Sequence, residues 1–329
     1  MTQKDSDTVL ARLDRPTVEE RTRIAVVADP HVSDRATGTA MVYHRSAERL
    51  RTAFSDAEAR GVDAVISAGD LTKDGAPWEY DLFDEILADL NLPFFSVPGN
   101  HDAPKAPTTE YEYGDQHDTP PISRFEERYT PSGTLPFVER VGGIDVVGIN
   151  TATMPNEGLK KTHDGEVAEA EIEWLETTLP DLKNPVILMH HNTPAMFEQF
   201  HDLQNWAYPE MGTPPILRNP QPVLDTLTDN EVPLVITGHL HNLGVAETGS
   251  VREVTSPATG SFPQAYLIFE FDEHGTTVKY IPVTDTEGAT EAHHARRTDS
   301  ETSAGFAAFA AIRLARLPLH DDRDPRRAE

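Results

Sequence analysis

Short, wholly apolar runs alternate along this chain with longer amphipathic stretches. Ile24-Ala25-Val26-Val27-Ala28 is such a run, and it ends at Asp29-Pro30-His31, the pattern of a buried strand entering a loop. Residues 43–60 repeat their apolar positions at helical spacing and stop at Gly61, a residue suited to a helix C-cap. A second run, Ala64-Val65-Ile66-Ser67-Ala68, ends at Gly69-Asp70, and a helix is expected over about 77–90. Phe94-Phe95-Ser96-Val97 then leads into Pro98-Gly99-Asn100-His101-Asp102. Three successive strand–loop–helix units predict an α/β fold. Each carries polar residues just past its strand, at the sheet edge where open α/β sheets bind ligands.

Periodicity weakens over 103–133, a stretch rich in Pro, Tyr, Asp and Glu that reads as an excursion over that edge. Strands resume near 136–140 and 144–150, and 167–179 forms a helix with Ile172, Leu175 and Leu179 on its buried side. Val186-Ile187-Leu188-Met189 delivers His190-His191, and a second irregular excursion occupies 192–222. A helix near 221–229 precedes Leu234-Val235-Ile236-Thr237, which delivers Gly238-His239-Leu240-His241. Alternating runs at 244–247, 251–255, 265–271 and 276–283 read as antiparallel strands closing a second sheet. The pattern divides the chain into a polar N-terminal segment (1–21), a single domain (22–300) carrying both excursions, and a C-terminal amphipathic helix with a polar tail (301–329). Phe306, Phe309, Ala310, Leu314 and Leu317 share one face of that helix. The face suits either a homodimer contact or docking on its own domain, and docking is the favoured reading.

Composition narrows the chemistry. The 329 residues include no cysteine, which excludes disulfides and thiolate chemistry and leaves Asp, Asn, Glu and His as metal ligands. No run is apolar enough to span a membrane, and the N-terminus lacks the apolar stretch of a secretory signal, so a cytoplasmic protein is expected. Asp and Glu total 55 against 28 Lys and Arg, of which seven are Lys, for a formal charge of −27. That balance argues against sequence-independent binding to nucleic acid or to an anionic membrane. The acidic residues are spread over the whole chain, which points to a halophilic source with a salt-rich cytoplasm. Melting curves should then show stabilisation between low and molar KCl, and unchanged curves would contradict the reading.

Five polar segments each follow an apolar run directly: Asp29-Pro30-His31, Gly69-Asp70, Gly99-Asn100-His101-Asp102, His190-His191 and Gly238-His239-Leu240-His241. Any one of them alone is ordinary turn chemistry. Five at the ends of neighbouring strands converge on one edge. Oxygen and imidazole donors without thiolate suit divalent Mn, Fe, Co, Ni or Zn. The i, i+2 spacing in Asp29-x-His31 and His239-x-His241 lets both side chains of an extended segment face one side.

In order and spacing, this series (D-x-H, G-D, G-N-H-D, H, G-H-x-H) resembles the calcineurin-like metallophosphoesterase superfamily, over residues 29 to 241. The wording GDLTKDG and VPGNHD is most similar to its class III cyclic-nucleotide phosphodiesterase branch. The resemblance implies a four-layer αββα sandwich, two mixed sheets flanked by helices, with a dinuclear metal site at the C-terminal edge of the strands. It implies that Asp29, His31 and His241 hold one metal, that Asp70 bridges, and that Asn100, His190 and His239 complete the second. His191 is then a packing neighbour. His101 is then the non-ligand histidine, placed to protonate the leaving oxygen or stabilise charge there after metal-hydroxide attack on phosphorus, with Asp102 orienting His101.

Other functions fit less well. A scaffold that has lost catalysis should lack ligands, and none is missing. A DNA nuclease needs a basic groove, whereas Asp34, Asp74, Glu110, Glu112, Asp115 and Asp118 surround the motifs. A protein phosphatase should place arginines near the phosphate, and only Arg35 and Arg45 follow the first motif closely. A small-molecule phosphoester is therefore the expected substrate, with phosphodiesters, cyclic nucleotides among them, ahead of phosphomonoesters. Specificity is expected from Tyr111, Tyr113, His117 and Arg124 in the first excursion. In the second it is expected from Phe197, Phe200, His201, Trp206, Tyr208 and Arg218, although most such aromatics serve only as loop anchors. His44, His163, His274, His293 and His294 fall outside every motif and are expected at the surface.

Overall fold

The computed structural model describes residues 7–36, 38–104, 117–152 and 163–323. The first sheet contains β1 (Thr8–Leu13), β2 (Thr22–Val27), β3 (Ala64–Ser67), β4 (Phe94–Ser96), β11 (Ala265–Asp272), β12 (Gly275–Pro282) and β13 (His320–Asp321), in the order β13-β1-β12-β11-β2-β3-β4. The second contains β5 (Phe137–Val141), β6 (Ile144–Gly148), β7 (Pro185–Leu188), β8 (Leu234–Thr237), β9 (Gly244–Thr248) and β10 (Val251–Thr255), in the order β5-β6-β7-β8-β10-β9. Strands β2, β3 and β4 run parallel, as do β6, β7, β8 and β10, and the remaining pairs are antiparallel except β1 with β13. Both sheets are therefore mixed.

Strand alternation explains the layering. Ile24, Val26 and Ile66 point to one face of the first sheet and meet Val146, Leu188 and Ile236 of the second, forming the central core between the sheets. Ala25, Val27 and Val65 point the other way, onto α1 (Tyr43–Arg60) and α2 (Pro77–Leu87) through Leu50, Phe54 and Phe83. Val147, Ile187 and Val235 face α4 (Glu169–Thr178) and α6 (Pro220–Asp229) through Leu175 and Leu227. The result is the four-layer αββα sandwich, in which each large core side chain contributes about 1.5–3 kcal/mol by leaving water. Helix α1 ends at Gly61, whose φ of 65° lets its N–H turn back onto Ala57 and Glu58 carbonyls.

Three sequence expectations need correction, and one helix is added to them. The N-terminal segment is not merely polar: Thr8–Leu13 is a strand between β12 and β13, with Leu10 and Leu13 fully buried, because alternation over so few residues is easily masked by charged neighbours. The four late strands do not close one sheet. Strands β9 and β10 join the second, but β11 pairs with β2 and β12 with β1 in the first. The first excursion contains α3 (Ile122–Tyr129), and the second contains α5 (Pro194–Ala207), begun by a proline at its first position, where no backbone N–H is needed. Finally, 286–299 forms a helix, α7 (Thr286–Asp299), followed by α8 (Glu301–Leu314). On α8, Phe309 stacks on Phe200 of α5 at 4.3 Å and Phe306 lies 4.7 Å from the same ring, so the apolar face rests on its own chain. No helix among the described residues is long and apolar enough to cross a membrane.

Candidate metal centre

The loops after β2, β3, β4, β7 and β8 meet at one edge of the sandwich. The first two are laid side by side by backbone bonds, Asp29 N to Gly69 O and His31 N to Asp70 O, each 3.0 Å. Five residues there, Asp29, His31, Asp70, His239 and His241, have positive φ of 47°, 43°, 54°, 67° and 48°. None is glycine, and each such conformation costs about 1–2 kcal/mol. Strain repeated at this one edge is the structural mark of a functional site.

Glycines allow the loops to close up. A Cβ on Gly99 would collide with Oδ1 and N of Asp70, and one on Gly238 would lie 2.7 Å from Asp29 Oδ2. Gly99→Ala should therefore push Asp70 out of place and weaken Mn²⁺ binding about 10–100-fold while the circular dichroism spectrum stays unchanged.

The side chains form two adjoining groups. In the first, ligand atoms of Asp29, His31, Asp70 and His241 all lie within 4.8 Å of one another. In the second, Asn100 Oδ1 is 2.9 Å from His190 Nε2 and 2.8 Å from His239 Nδ1, and those two nitrogens are 3.2 Å apart. Asp70 Oδ2 joins the groups, 3.4 Å from His31 Nε2 and 3.4 Å from His190 Nε2. Its Oδ1 is held by the His101 amide at 2.7 Å, which fixes the orientation of the carboxylate.

Tautomers follow from the outer contacts. His190 Nδ1–H donates to Ala68 O at 2.7 Å and His239 Nε2–H donates to Pro215 O at 2.9 Å. In the neutral tautomers the nitrogens turned toward Asn100 Oδ1 carry lone pairs, so two imidazole nitrogens and an amide oxygen converge as a donor set suited to a divalent cation. The fit to divalent metals is good. Burial lowers His31 to about 4 and His239 well below the ordinary imidazole value, keeping both available as neutral ligands. Burial also works against a charged His190, yet the Asp70 carboxylate raises it to about 9, a measure of how strongly this site attracts positive charge. His191 is buried and turned aside, bonding Thr151 Oγ1 at 3.0 Å and His163 O at 2.9 Å. Beneath both loops, buried Glu253 accepts from Asn192 Nδ2 at 2.8 Å and Thr237 Oγ1 at 2.7 Å, tying the end of β7 to that of β8.

Asp102 does not orient His101. Its carboxylate accepts from the backbone N–H of Leu71 (3.1 Å), Thr72 (3.0 Å) and Gly99 (2.9 Å) and from Thr72 Oγ1 (2.9 Å). It is a staple between the Asp70 and Asn100 loops. The tautomer of His101 is set by the Lys73 carbonyl, to which its Nδ1–H donates. His163, expected at the surface, lies instead beside the centre. Its Nδ1 accepts from Asn100 Nδ2 at 2.8 Å, and its ring stacks on His101 at 4.8 Å. No spacing or motif around His163 marks it, because it reaches the site from a loop far from every strand end. His293 is half-buried, edge-on to Phe262 at 4.9 Å, whereas His44 pairs with Glu291 in solvent.

Of the specificity candidates, Tyr111 and Tyr113 lie outside the described residues. Phe197 and Phe200 are packing anchors in a buried cluster with Met196 and Phe309. Arg124 pairs with Glu127 and Arg218 with Asp164, while Trp206 is 79% exposed and His201 is exposed. Tyr208 packs against the α5–α8 cluster. Nearer the His101 loop, His117 bonds the Asp74 carbonyl at 3.1 Å and meets Trp78 edge-on, and Arg35 lies 4.3 Å above the Trp78 ring.

Comparison with known proteins agrees with this geometry. The family model for calcineurin-like phosphoesterases matches residues 22–243. A Synechococcus protein named a probable cyclic nucleotide phosphodiesterase is 22% identical over 250 residues, covering 73% of this chain and 84% of that protein. A probable glycerophosphodiester phosphodiesterase from Arcobacter nitrofigilis is 33% identical over 147 residues, 44% of this chain and 46% of that protein. Among solved structures, a dimetal phosphatase from Danio rerio aligns with a TM-score of 0.59 at 15% identity, covering 80% of this chain and 97% of that one. At that identity the likeness is one of fold.

Proposed function

Because the chain belongs to the calcineurin-like phosphoesterase family, we propose that it hydrolyses small-molecule phosphodiesters at a two-metal centre. In this reading Asp29, His31 and His241 hold one ion, Asn100, His190 and His239 hold the other, and Asp70 bridges them. The observation that carries it is Asp70 Oδ2, placed 3.4 Å from an imidazole nitrogen of each group. Two divalent ions held there supply neutralisation of phosphoryl oxygens and acidification of a water molecule.

The chain's own residues do the rest. The Lys73 carbonyl holds Nδ1–H of His101, so the imidazolium form presents Nε2–H as the proton given to the departing oxygen, leaving the neutral Nδ1–H tautomer behind. The His163 ring, stacked on His101 and bonded to Asn100, limits rotation of both. Asp102 keeps the Asp70 and Asn100 loops in register. Diesters are favoured over monoesters because the relatives at 22% and 33% identity are both named as probable phosphodiesterases. Cyclic nucleotides and glycerophosphodiesters are the classes those names suggest.

The reading is tested with a substrate panel in Mn²⁺ and other divalent ions. It should include bis-p-nitrophenyl phosphate, p-nitrophenyl phosphate, cyclic nucleotides, glycerophosphodiesters and single-stranded DNA. Turnover of diesters ahead of the monoester is the expected result. Monoester preference, or cleavage of DNA ahead of the small diesters, would replace the reading with a phosphomonoesterase or a nuclease. Inactivity on all of them with metals bound would replace the reading with an unusual substrate or a scaffold.

A further inference from the structure

The loop that carries His239 and His241 is held from behind by a residue outside the family match. Arg296, on α7, lies beyond residues 22–243 and is 3% exposed. Its Nη1 donates to the carbonyl of His241 at 2.6 Å and to the carbonyl of Phe262, and its Nη2 donates to the carbonyl of Leu240 at 3.2 Å. The guanidinium also lies 5.2 Å from the ring of Phe306 on α8. Its hydrogen-bond partners are thus backbone carbonyls and not a carboxylate, an expensive use of a buried charge.

The loop needs such a partner. His239 and His241 both have positive φ, and Leu240 N bonds Gly238 O at 2.8 Å, so the backbone doubles back within a few residues. That turn directs the Leu240 and His241 carbonyls toward Arg296. A planar guanidinium with five donors in a fixed fork spans adjacent carbonyls better than the compact ammonium of lysine. A second tether lies beside it, Asn242 Nδ2 donating to Phe306 O at 3.1 Å.

We infer that Arg296 is a positioning residue for the metal centre, and that it makes the α7–α8 hairpin part of the apparatus holding His241 against Asp29 and His31. The inference rests on the two-metal reading of the site. With its carbonyl fixed, His241 keeps Nε2 2.9 Å from His31 Nε2 and 3.4 Å from Asp29 Oδ1. Without the guanidinium the Leu240–His241 end of the loop relaxes and His241 rotates out of the first group, whereas His239, held by Asp29 through its N–H and by the Pro215 carbonyl through its ring, stays with Asn100 and His190 in the second.

Isothermal titration of the full-length, chelator-treated protein with Mn²⁺ tests this, using the wild type, Arg296→Met and Arg296→Lys. The wild type should take up two equivalents. Arg296→Met should retain the wild-type circular dichroism spectrum and bind one equivalent about 10–100-fold more weakly, with the other unchanged, the scale expected when support behind a ligand is lost. Arg296→Lys should show the same selective weakening to a smaller degree, and it carries the test alone if the Met variant does not fold. Unchanged affinities in a folded variant would overturn the inference. So would equal weakening of both equivalents, the signature of a general loss of structure. A wild type that binds no Mn²⁺ would instead remove the two-metal reading.

Discussion

Replacing Asp70 with Ala or Asn is expected to lower phosphodiesterase kcat/KM by about 10³-fold or more, equivalent to roughly 4 kcal/mol of lost transition-state stabilisation. The size of the effect follows from geometry. Asp70 Oδ2 is the atom shared by both donor groups, whereas each remaining donor serves one of them. Asp70→Asn is the sharper variant, because its amide oxygen still accepts the His101 N–H that now bonds Oδ1 at 2.7 Å. The loops should therefore stay in place while the bridge loses its charge. Metal analysis of the variant should give fewer than two equivalents. Full activity in either variant would show that Asp70 does not bridge.

His101→Ala should cost about 10²–10⁴-fold in kcat, the usual range for a positioned general acid, with both metals retained. The loss should depend on the leaving group. An alkyl phosphodiester expels a strongly basic alkoxide and needs the proton, whereas p-nitrophenolate departs without one. The variant should therefore be far more impaired on glycerophosphodiesters than on bis-p-nitrophenyl phosphate. Equal impairment on both would assign His101 to charge stabilisation and remove the proton-transfer role.

Legibility in the sequence depends on distance along the chain. The five polar segments each follow a run of buried residues, so their convergence at the strand ends is legible from the order of residues alone. The same holds for α1, whose period and glycine stop are local. Contacts between distant segments leave no such trace. Asp102 follows His101 directly, which invites pairing the two, but the turn aims its carboxylate at the N–H groups of Leu71, Thr72 and Gly99. His163 and Arg296 reach the centre from loops or helices with no motif of their own. The placement of β11 beside β2, and not in the second sheet, depends on pairing across more than two hundred residues. Helix α5 is hidden for a different reason. Met196, Phe197, Phe200 and Leu203 carry a helical period, but prolines crowd the surrounding stretch, and Pro194 resembles a breaker although it is the helix start.

The most direct test of the two-metal centre is titration of the chelator-treated protein with Mn²⁺ while bis-p-nitrophenyl phosphate hydrolysis is followed. Activity should be absent in the metal-free protein and should rise to a plateau at two equivalents per chain. Full activity without metal, a plateau at one equivalent, or no hydrolysis with two ions bound would contradict it.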